Sequence, residues 1–355
     1  MSQAREEYPL ISIIVTSYDG SELTERCVSS VLKRTRYPNY EVIVVKYGPR
    51  AHEGLKSLEG PKVRIVRISR NVGYSEANNI GLRHAKGRFV AFLNNDTIVT
   101  EGWLKALYEL LTSSGSDVAA VQSKLRLAGC PERIDAVGME FSPLGFLKPV
   151  GYMELDRGQY DEVRELCVIQ PAACLIRRDI LARVGGLFDP DYFWGHEDTD
   201  LSLRLHLAGY KLLFCPRSLV YHIRSATISK ARPEALTYYF RRNVLLTMLK
   251  NYGLLELARW LPLHLVILVA MIIWHLTSGR GLHALAVIKA AWWNLRNLRA
   301  TLAKRALVQS RVRRIPDGAL TARLRGPSLS ELLRMRHEGP LTTTHLERSH
   351  AQVSL

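Results

Sequence analysis

The sequence lacks the features of secreted, disulfide-bonded or zinc-binding chains. Its five cysteines are an odd number, and none forms a Cys-x-x-Cys pair. This pattern argues against a disulfide framework or a zinc site and favours a reducing compartment. The first residues are polar and charged and contain no apolar signal-peptide core. We therefore expect a cytoplasmic location.

Acidic residues are scarce towards the C-terminus. The chain of 355 residues has a net charge of +16, and residues 277–355 hold 14 Lys and Arg against 4 Asp and Glu, which is +10 of that total. This skew predicts an anionic partner for the C-terminal part, either membrane lipid or nucleic acid.

Long apolar runs are also rare, and the notable one lies in the C-terminal third. Residues 261–278 contain no Asp, Glu, Lys or Arg. A helix that crosses a membrane needs about 20 apolar residues, so this run is at the short limit. Trp260 and Trp274 lie at its ends, as is typical of the membrane interface.

Residues 282–302 form a second, amphipathic stretch. It contains Trp292, Trp293 and a basic face, a pattern typical of a helix that lies on an anionic membrane surface. The alternative is that both stretches form a buried helical hairpin of a soluble domain. We expect a helical membrane-associated region at 238–310, followed by a basic, loosely ordered tail at 311–355.

The first part of the chain alternates between strand-like and helix-like segments. Short β-branched or apolar runs predict strands at 11–16, 41–45, 63–68, 89–93, 118–121 and 211–215, the last closed by Pro216. Helical spacing predicts helices at 21–32, 77–85, 103–111 and 178–184. Residues 128–166 are rich in turn residues and predict an irregular loop region. This alternation predicts an α/β fold with a mostly parallel sheet.

Polar residues follow two of the predicted strands. Thr16, Tyr18 and Asp19 end the first strand, and Asn94-Asn95-Asp96 ends the fourth. Ligands of such sheets bind beyond the carboxyl ends of the strands. We therefore expect these side chains to line a binding cleft.

The segment 193–204 combines acidic and imidazole groups with a helix start. His196, Glu197, Asp198 and Asp200 are followed by leucines with helical spacing. A helix N-terminus favours ionised carboxylates, which suits a general base. An acidic N-cap of an ordinary helix is the alternative interpretation.

Several of these segments together resemble family 2 glycosyltransferases of the rhamnosyltransferase-like branch. The resemblance covers roughly residues 10–242, and its motifs lie at 13–20, 71–74, 78–81, 85–88, 92–96, 184–189, 197–201, 209–210 and 220–222. It implies a GT-A fold over residues 1–237, with a donor half at about 10–125 and an acceptor half at about 126–237. It also implies a nucleotide-sugar donor, Mg²⁺ or Mn²⁺, and inversion at the anomeric carbon.

The resemblance also implies roles for individual residues. Asp96 and His222 correspond to metal ligands, and Asp198 to the catalytic base, with Glu197 in reserve. Predicted donor-binding residues are Thr16, Tyr18, Asp19, Lys46, Asn78, Asn79, Asn94 and Asn95. Predicted acceptor-binding residues are Trp194 and His196.

One position departs from the family pattern. Relatives commonly carry an acidic residue after the second strand, and here the residue is Lys46. A carboxylate there accepts a hydrogen bond from the imide N–H of uracil, but a lysine can only donate. The base is then held otherwise, or the donor is not a uridine or thymidine sugar, or it is a lipid-phosphate sugar.

The sequence therefore predicts an enzyme on the cytoplasmic face of the membrane that transfers sugar to a lipid-linked or cell-surface glycan acceptor. A polymer-type glycan synthase would need more spanning helices. A binding protein that kept the fold but lost transfer is an alternative, motivated by Lys46 and the uncharged Asn94. A nucleic-acid binder would explain the basic tail but not the acidic pair, so we expect no nucleic-acid partner.

Overall fold

The computed structural model describes residues 8–18, 21–224 and 232–324. The chain divides into two compact units. The first comprises residues 1–139, 149–224 and 311–315, and the second comprises 140–148, 225–310 and 316–355. The predicted tail beyond residue 324 and the predicted donor residue Asp19 lie outside the described residues.

A large sheet forms the centre of the first unit. The strands are β1 (Ile11–Tyr18), β2 (Tyr40–Tyr47), β3 (Val63–Ile68), β4 (Phe89–Asn94), β5 (Thr97–Val99), β6 (Val118–Leu127), β7 (Ile134–Ala136), β8 (Met139–Phe141), β9 (Leu147–Pro149), β10 (Arg164–Glu165), β11 (Ala173–Arg177) and β12 (Lys211–His222). Their order is β10-β12-β6-β11-β4-β1-β2-β3, with β5 beside β12 and β7 beside β6. β8 and β9 pair separately.

The sheet is mixed but mostly parallel. β1 pairs in parallel with β2 and β4, β2 with β3, and β6 with β12. β11 is antiparallel to both β4 and β6, so these six strands still run in one direction. Their carboxyl ends therefore meet at one edge of the sheet, as the sequence predicts.

Helices flank the sheet and continue into the second unit. They are α1 (Glu22–Arg34), α2 (Gly73–His84), α3 (Trp103–Ser113), α4 (Arg178–Arg183), α5 (Glu197–Leu207), α6 (Pro233–Asn251), α7 (Leu254–Thr277), α8 (Gly281–Arg296), α9 (Leu298–Leu307) and α10 (Asp317–Thr321). Short 3₁₀ turns cover Lys56–Leu58 and Pro190–Tyr192, and a π turn covers Val308–Val312.

The core of the first unit explains the apolar strand runs. β1 and β2 are buried on both faces, which accounts for their continuous rather than alternating hydrophobicity. Trp103 of α3 is completely buried in this core, and its indole Nε1 donates to Thr35 Oγ1 at 3.0 Å. The core thus fixes the strands whose ends form the site.

Two sequence predictions about this unit are wrong. Pro216 does not end the last strand, because β12 runs to His222 and shifts register between Cys215 and Leu219. A register shift of this kind accommodates a proline, which cannot donate to the ladder. The region 128–166 is also not wholly irregular, since it contains β7 to β10.

The second unit is mostly helical among its described residues, and it also holds most of the β8–β9 pair. The apolar run at 261–278 belongs to α7, which is longer than predicted at 24 residues and contains Pro262 in its interior. Among the described residues α7 alone is long and apolar enough to cross a membrane. The amphipathic stretch at 282–302 is two helices, α8 and α9, which meet at Asn297.

Candidate active site

The carboxyl edge of the sheet brings the ends of β1, β4 and β12 together. Thr16 of β1 lies beside Asn94 of β4 in the strand register. β5 pairs with the end of β12, and this places His222 opposite Thr97, the residue after Asp96. Two motifs separated by more than a hundred residues therefore meet in one place.

The turn Asn94-Asn95-Asp96 is held from both sides. Asn95 Nδ2 donates to Thr24 Oγ1 of α1 at 3.1 Å. The carbonyl of Asp96 accepts from the backbone N–H of Ile223 at 2.7 Å, just beyond β12. These contacts fix the direction in which the Asp96 carboxylate points.

His222 lies between two carboxylates. Its Nε2 is 3.1 Å from Asp96 Oδ1, and its Nδ1 is 2.7 Å from Asp135 Oδ2. The other oxygen of Asp135 forms an ion pair with Arg224 Nε at 2.5 Å. The imidazole is thus oriented by Asp135 with one ring nitrogen presented towards Asp96.

The charges around His222 favour its protonated form. Burial alone would lower the pKa of His222, but the charges of Asp96 and Asp135 outweigh it and raise the pKa to about 10. Burial likewise opposes ionisation of Asp135, and the positive charges of Arg224 and His222 lower its pKa overall. Sequence reasoning missed Asp135, although a lone aspartate between Ile134 and Ala136 is a signal of a buried charge.

The second motif reaches the site through a strained turn. Phe193 and His196 have positive φ angles of 59° and 65°, and Gly195 between them has a φ of 82°. Non-glycine residues rarely adopt this conformation, and it costs of order 1–3 kcal/mol where it occurs. The turn delivers Glu197 and Asp198 as the first two residues of α5.

The start of α2 packs against this turn. Gly73 has a φ of +77°, and a Cβ placed there would lie 2.6 Å from both the ring and the carbonyl oxygen of Phe193. The backbone N–H of Ser75 donates to the same carbonyl at 3.3 Å. Only glycine fits this close approach.

Arg204 anchors α5 from its other end. The buried guanidinium pairs with Asp200 at 2.9 Å, one turn earlier on the helix. It also donates to the carbonyls of Val184, Gly186 and Leu187. The acidic pair therefore sits on a rigid element.

Glu197 and Asp198 are both held in apolar surroundings. Asp198 Oδ1 accepts from the backbone N–H of Thr199 at 2.7 Å and from its hydroxyl at 3.2 Å. Glu197 is 6% exposed, and its Oε2 has no hydrogen-bond partner within the part of the chain that the structure describes. Apolar side chains, including Phe92, Phe188 and Leu201, border Asp198.

Burial raises the pKa of both acids. The rise is larger for Glu197, because the charge of Asp198 beside it adds to the loss of hydration. Hydrogen bonds from Thr199 limit the rise for Asp198. Asp198 is therefore the member of the pair that ionises first, and at neutral pH it is the better proton acceptor.

Tyr74 links the two motifs and was given no role from the sequence. Its hydroxyl donates to Asn94 Oδ1 at 3.0 Å. Burial, with the nearby charges of Glu197 and Asp198, raises the pKa of Tyr74 well above its ordinary value. Tyr74 thus remains a neutral donor and fixes the orientation of the Asn94 amide.

The structure separates the predicted donor residues into accessible and buried ones. Tyr18 is half-buried, and its ring lies 5.4 Å from that of Tyr47 at the same sheet edge. Lys46 is completely buried and donates to Ser21 Oγ at 2.7 Å and to the carbonyl of Glu53. These two contacts hold the ammonium within the protein, and the role of Lys46 near the nucleobase stays a prediction.

The structure also gives the contacts of three further predicted residues. The Asn79 amide accepts from the backbone N–H of Phe188 at 3.1 Å and donates to the carbonyl of Phe188 at 2.8 Å. Asn78 is 1% exposed and donates to the carbonyl of Tyr74 within α2. His196 is 4% exposed. The roles of these residues in binding stay predictions. Trp194 remains half-buried.

The residues present fit a divalent cation. Asp96 offers carboxylate oxygen, and His222 would offer Nε2 once a metal displaces the proton from that nitrogen. Asp135 holds Nδ1, which is the second-sphere arrangement common at metal-bound histidines. A site made of one carboxylate and one imidazole suits Mn²⁺ better than Mg²⁺, because Mg²⁺ prefers oxygen ligands. No group of three or more His, Cys, Asp or Glu within the described ranges could hold a metal by itself.

An α/β unit with these two motifs at the carboxyl edge of its sheet defines a class, the GT-A glycosyltransferase fold. A solved structure of GalNAc-T7 with UDP, GalNAc and Mn²⁺ shares this fold, at a TM-score of 0.53 and 19% sequence identity. The alignment covers 68% of this chain and 48% of that one.

The family follows from the sequence comparison. Residues 12–185 match the model of Glycosyl transferase family 2, and the chain belongs to that family. This confirms the expected fold and membership of family 2, and the rhamnosyltransferase-like branch stays a prediction.

Two curated relatives illustrate the range of the family. The chain is 28% identical over 250 residues to the O-antigen biosynthesis protein RfbC of Myxococcus xanthus, covering 66% of this chain and 19% of that protein. It is 37% identical over 91 residues to the UDP-Glc:alpha-D-GlcNAc-diphosphoundecaprenol beta-1,3-glucosyltransferase WfgD of Escherichia coli, covering 25% and 36%. The chain thus spans about a fifth and about a third of these two relatives.

Proposed function

We propose that the protein is a membrane-associated, inverting glycosyltransferase that moves a sugar from a nucleotide donor to a lipid-linked or cell-surface glycan acceptor. The observation that carries the proposal is the meeting of Asp96 and His222 with the Glu197–Asp198 motif through Tyr74 and Asn94. Asp96 and His222 suit a charged leaving group, and Glu197 and Asp198 suit an acceptor hydroxyl.

The reaction is a single displacement. The acceptor hydroxyl attacks the anomeric carbon, Asp198 takes the hydroxyl proton, and the bond to the nucleoside diphosphate breaks from the opposite face. Such a displacement inverts the configuration. General-base catalysis of this kind contributes about 10²–10⁴-fold.

The metal would be held by Asp96 and His222. When bound, it neutralises charge on the leaving diphosphate. Asp135 keeps the imidazole of His222 in place through Nδ1, and Arg224 keeps Asp135 ionised. Mn²⁺ fits this donor set, and the GalNAc-T7 structure contains Mn²⁺.

Attachment to the cytoplasmic face of a bilayer accounts for the second unit. The apolar residues of α7 and α8 remain largely exposed within the chain, including Leu263, Val266, Val269, Ile273, Leu276, Leu282 and Trp292. A contiguous apolar surface of this extent marks a membrane or partner site. The name of WfgD specifies a diphosphoundecaprenol acceptor, and an acceptor anchored in a bilayer is accessible to an enzyme at its surface.

The proposal is tested by calorimetry with a panel of nucleotide sugars in the presence of Mn²⁺. We expect one donor to bind, and binding to weaken at least tenfold when the metal is chelated or in Asp96→Asn. Asp179→Asn is the control, because Asp179 is exposed and its one ion pair among the described residues is with Arg183, one turn away. Binding of no donor, or equal binding by Asp96→Asn, would contradict the proposal.

A further inference from the structure

The helical second unit contains a partly buried guanidinium, and one of its nitrogens is buried without a partner among the described residues. Arg241 Nε is buried without a hydrogen-bond partner, and Arg241 has no ion pair within residues 8–18, 21–224 and 232–324. Burial lowers the pKa of Arg241 to about 10. The neighbouring Arg242 differs, since it lies over the rings of Tyr239 and Trp293 at 4.9 and 4.7 Å.

Two imidazoles, each with one buried ring nitrogen that has no partner among the described residues, lie within electrostatic reach of the same guanidinium. His264 and His275 of α7 are 1% and 5% exposed, and the buried atoms His264 Nε2 and His275 Nδ1 have no partner among the described residues. The charge of Arg241 reaches both rings. His275 stacks on His283 of α8, with ring centroids 5.1 Å apart and an angle of 14°.

This arrangement leaves buried polar atoms unsatisfied. A buried polar atom without a hydrogen-bond partner costs free energy. Arg241 Nε is a donor, and no described carboxylate pairs with Arg241, His264 or His275. Buried polar atoms that remain unsatisfied point to a missing ion or ligand. A guanidinium recognises phosphate particularly well, because its forked donors match phosphate oxygens.

The surroundings indicate an anion with an apolar body. Ile273 and Leu276 beside His275 are more than half exposed, and so is Leu282 beside His283. Arg280, in the turn between α7 and α8, lies over the ring of Trp274 at 5.1 Å. Apolar exposure around a basic group matches a lipid better than a soluble phosphate.

We propose that Arg241, together with His275, binds the anionic phosphate headgroup of a membrane lipid whose chains cover the exposed apolar residues of α7 and α8. This site rests on the membrane attachment proposed above. It adds a specific headgroup contact to what would otherwise be a diffuse apolar and basic surface.

The test compares the full-length wild type with Arg241→Met in vesicle co-sedimentation. The vesicles are phosphatidylcholine with and without phosphatidic acid, in about 1 M salt, where the screening length is about 3 Å. We expect the wild type to bind the phosphatidic acid vesicles about tenfold more tightly, and Arg241→Met to lose this preference. Arg299→Met is the control, since Arg299 is an exposed residue of α9.

Other outcomes reject the site. If Arg241→Met keeps the preference, or if the wild type binds both vesicles equally, there is no headgroup site although the membrane attachment stands. If the wild type binds neither, the attachment itself fails. If inorganic phosphate raises the melting temperature of the wild type as much as short-chain phosphatidic acid does, the ligand is not a lipid.

The melting temperature of Arg241→Met shows whether the variant folds as the wild type does. Replacing an unpaired buried charge with an apolar side chain of similar length is expected to leave the melting temperature unchanged or higher. A lower melting temperature for Arg241→Met without phosphate would show that Arg241 is paired within the protein, and would overturn the proposal.

Discussion

At the scale of single residues, the two adjacent acids of α5 differ because their partners differ. Asp198 receives two hydrogen bonds from Thr199, whereas Glu197 has a buried oxygen without a partner among the described residues. A carboxylate that accepts hydrogen bonds is easier to ionise in an apolar site. Glu197 therefore keeps its proton at a pH at which Asp198 has already released its own.

This difference predicts a pH-dependent stability effect of Glu197→Gln. Burial and the charge of Asp198 raise the pKa of Glu197 to about 8 in the folded protein, against about 4 in the unfolded chain. Because the folded state binds the proton more tightly, Glu197 costs stability as pH rises from about 4 to about 8.

The melting temperature of Glu197→Gln should therefore equal that of the wild type near pH 4 and lie several degrees above it near pH 8, as measured by thermal unfolding. Glu101→Gln is the control, because Glu101 is exposed and, within the part of the chain that the structure describes, forms an ion pair with Arg36 alone. Equal melting curves of Glu197→Gln and wild type at both pH values would show that Glu197 is hydrated.

At the scale of elements, the turn at 193–196 and the start of α2 depend on each other. The positive φ angles of this turn place Phe193 against Gly73. The sequence shows the Gly73 and Glu197–Asp198 motifs but not their contact, because they lie more than a hundred residues apart.

Gly73→Ala should therefore reduce both stability and transfer. The new Cβ would lie 2.6 Å from Phe193, which shifts the turn that carries the acidic pair. A shift of about 1 Å at a catalytic site can reduce the rate about 10²-fold.

The matched control for that variant is Gly102→Ala. Gly102 has a similar φ of +75°, but no atom lies within 4 Å of the position that a Cβ would take there. The control should show only the backbone cost, about 1 kcal/mol of stability, with transfer intact. If both variants transfer equally well, contact with Phe193 does not position the acids.

The sequence predicts the elements of this fold better than it predicts the uses of the side chains. The apolar strands are long and buried on both faces, so their pattern is clear, whereas the continuation of β12 through Pro216 depends on a register shift. Asp96 and His222 lie together as their motifs imply. The side chains of Lys46 and Asn79 turn to the protein interior, which is decided by tertiary contacts rather than by a local pattern.

At the scale of the whole molecule, the chain combines a GT-A unit with a helical unit that exposes many apolar side chains. Val266 and Val269 of α7 are 65% and 55% exposed, and residues 277–355 are strongly basic. Attraction of basic residues to anionic lipid is screened by salt, but burial of apolar surface is not.

High salt alone should therefore leave the protein in the membrane fraction. A double substitution, Val266→Asp with Val269→Asp, should release it, because charges are costly in the apolar layer. The control is Leu32→Asp, since Leu32 is an exposed apolar residue of the first unit. Fractionation of cell membranes measures the result, and complete release of the wild type by salt would show a purely electrostatic attachment.

The most direct test of the transferase proposal is Asp198→Asn, measured both for donor binding and for transfer. Asparagine keeps the size of the side chain but cannot take a proton. We predict that the variant binds the nucleotide sugar as the wild type does, while transfer falls by about 10²–10⁴-fold, and that the control Asp179→Asn transfers normally. Near-native transfer by Asp198→Asn would contradict the assignment of Asp198 as the base.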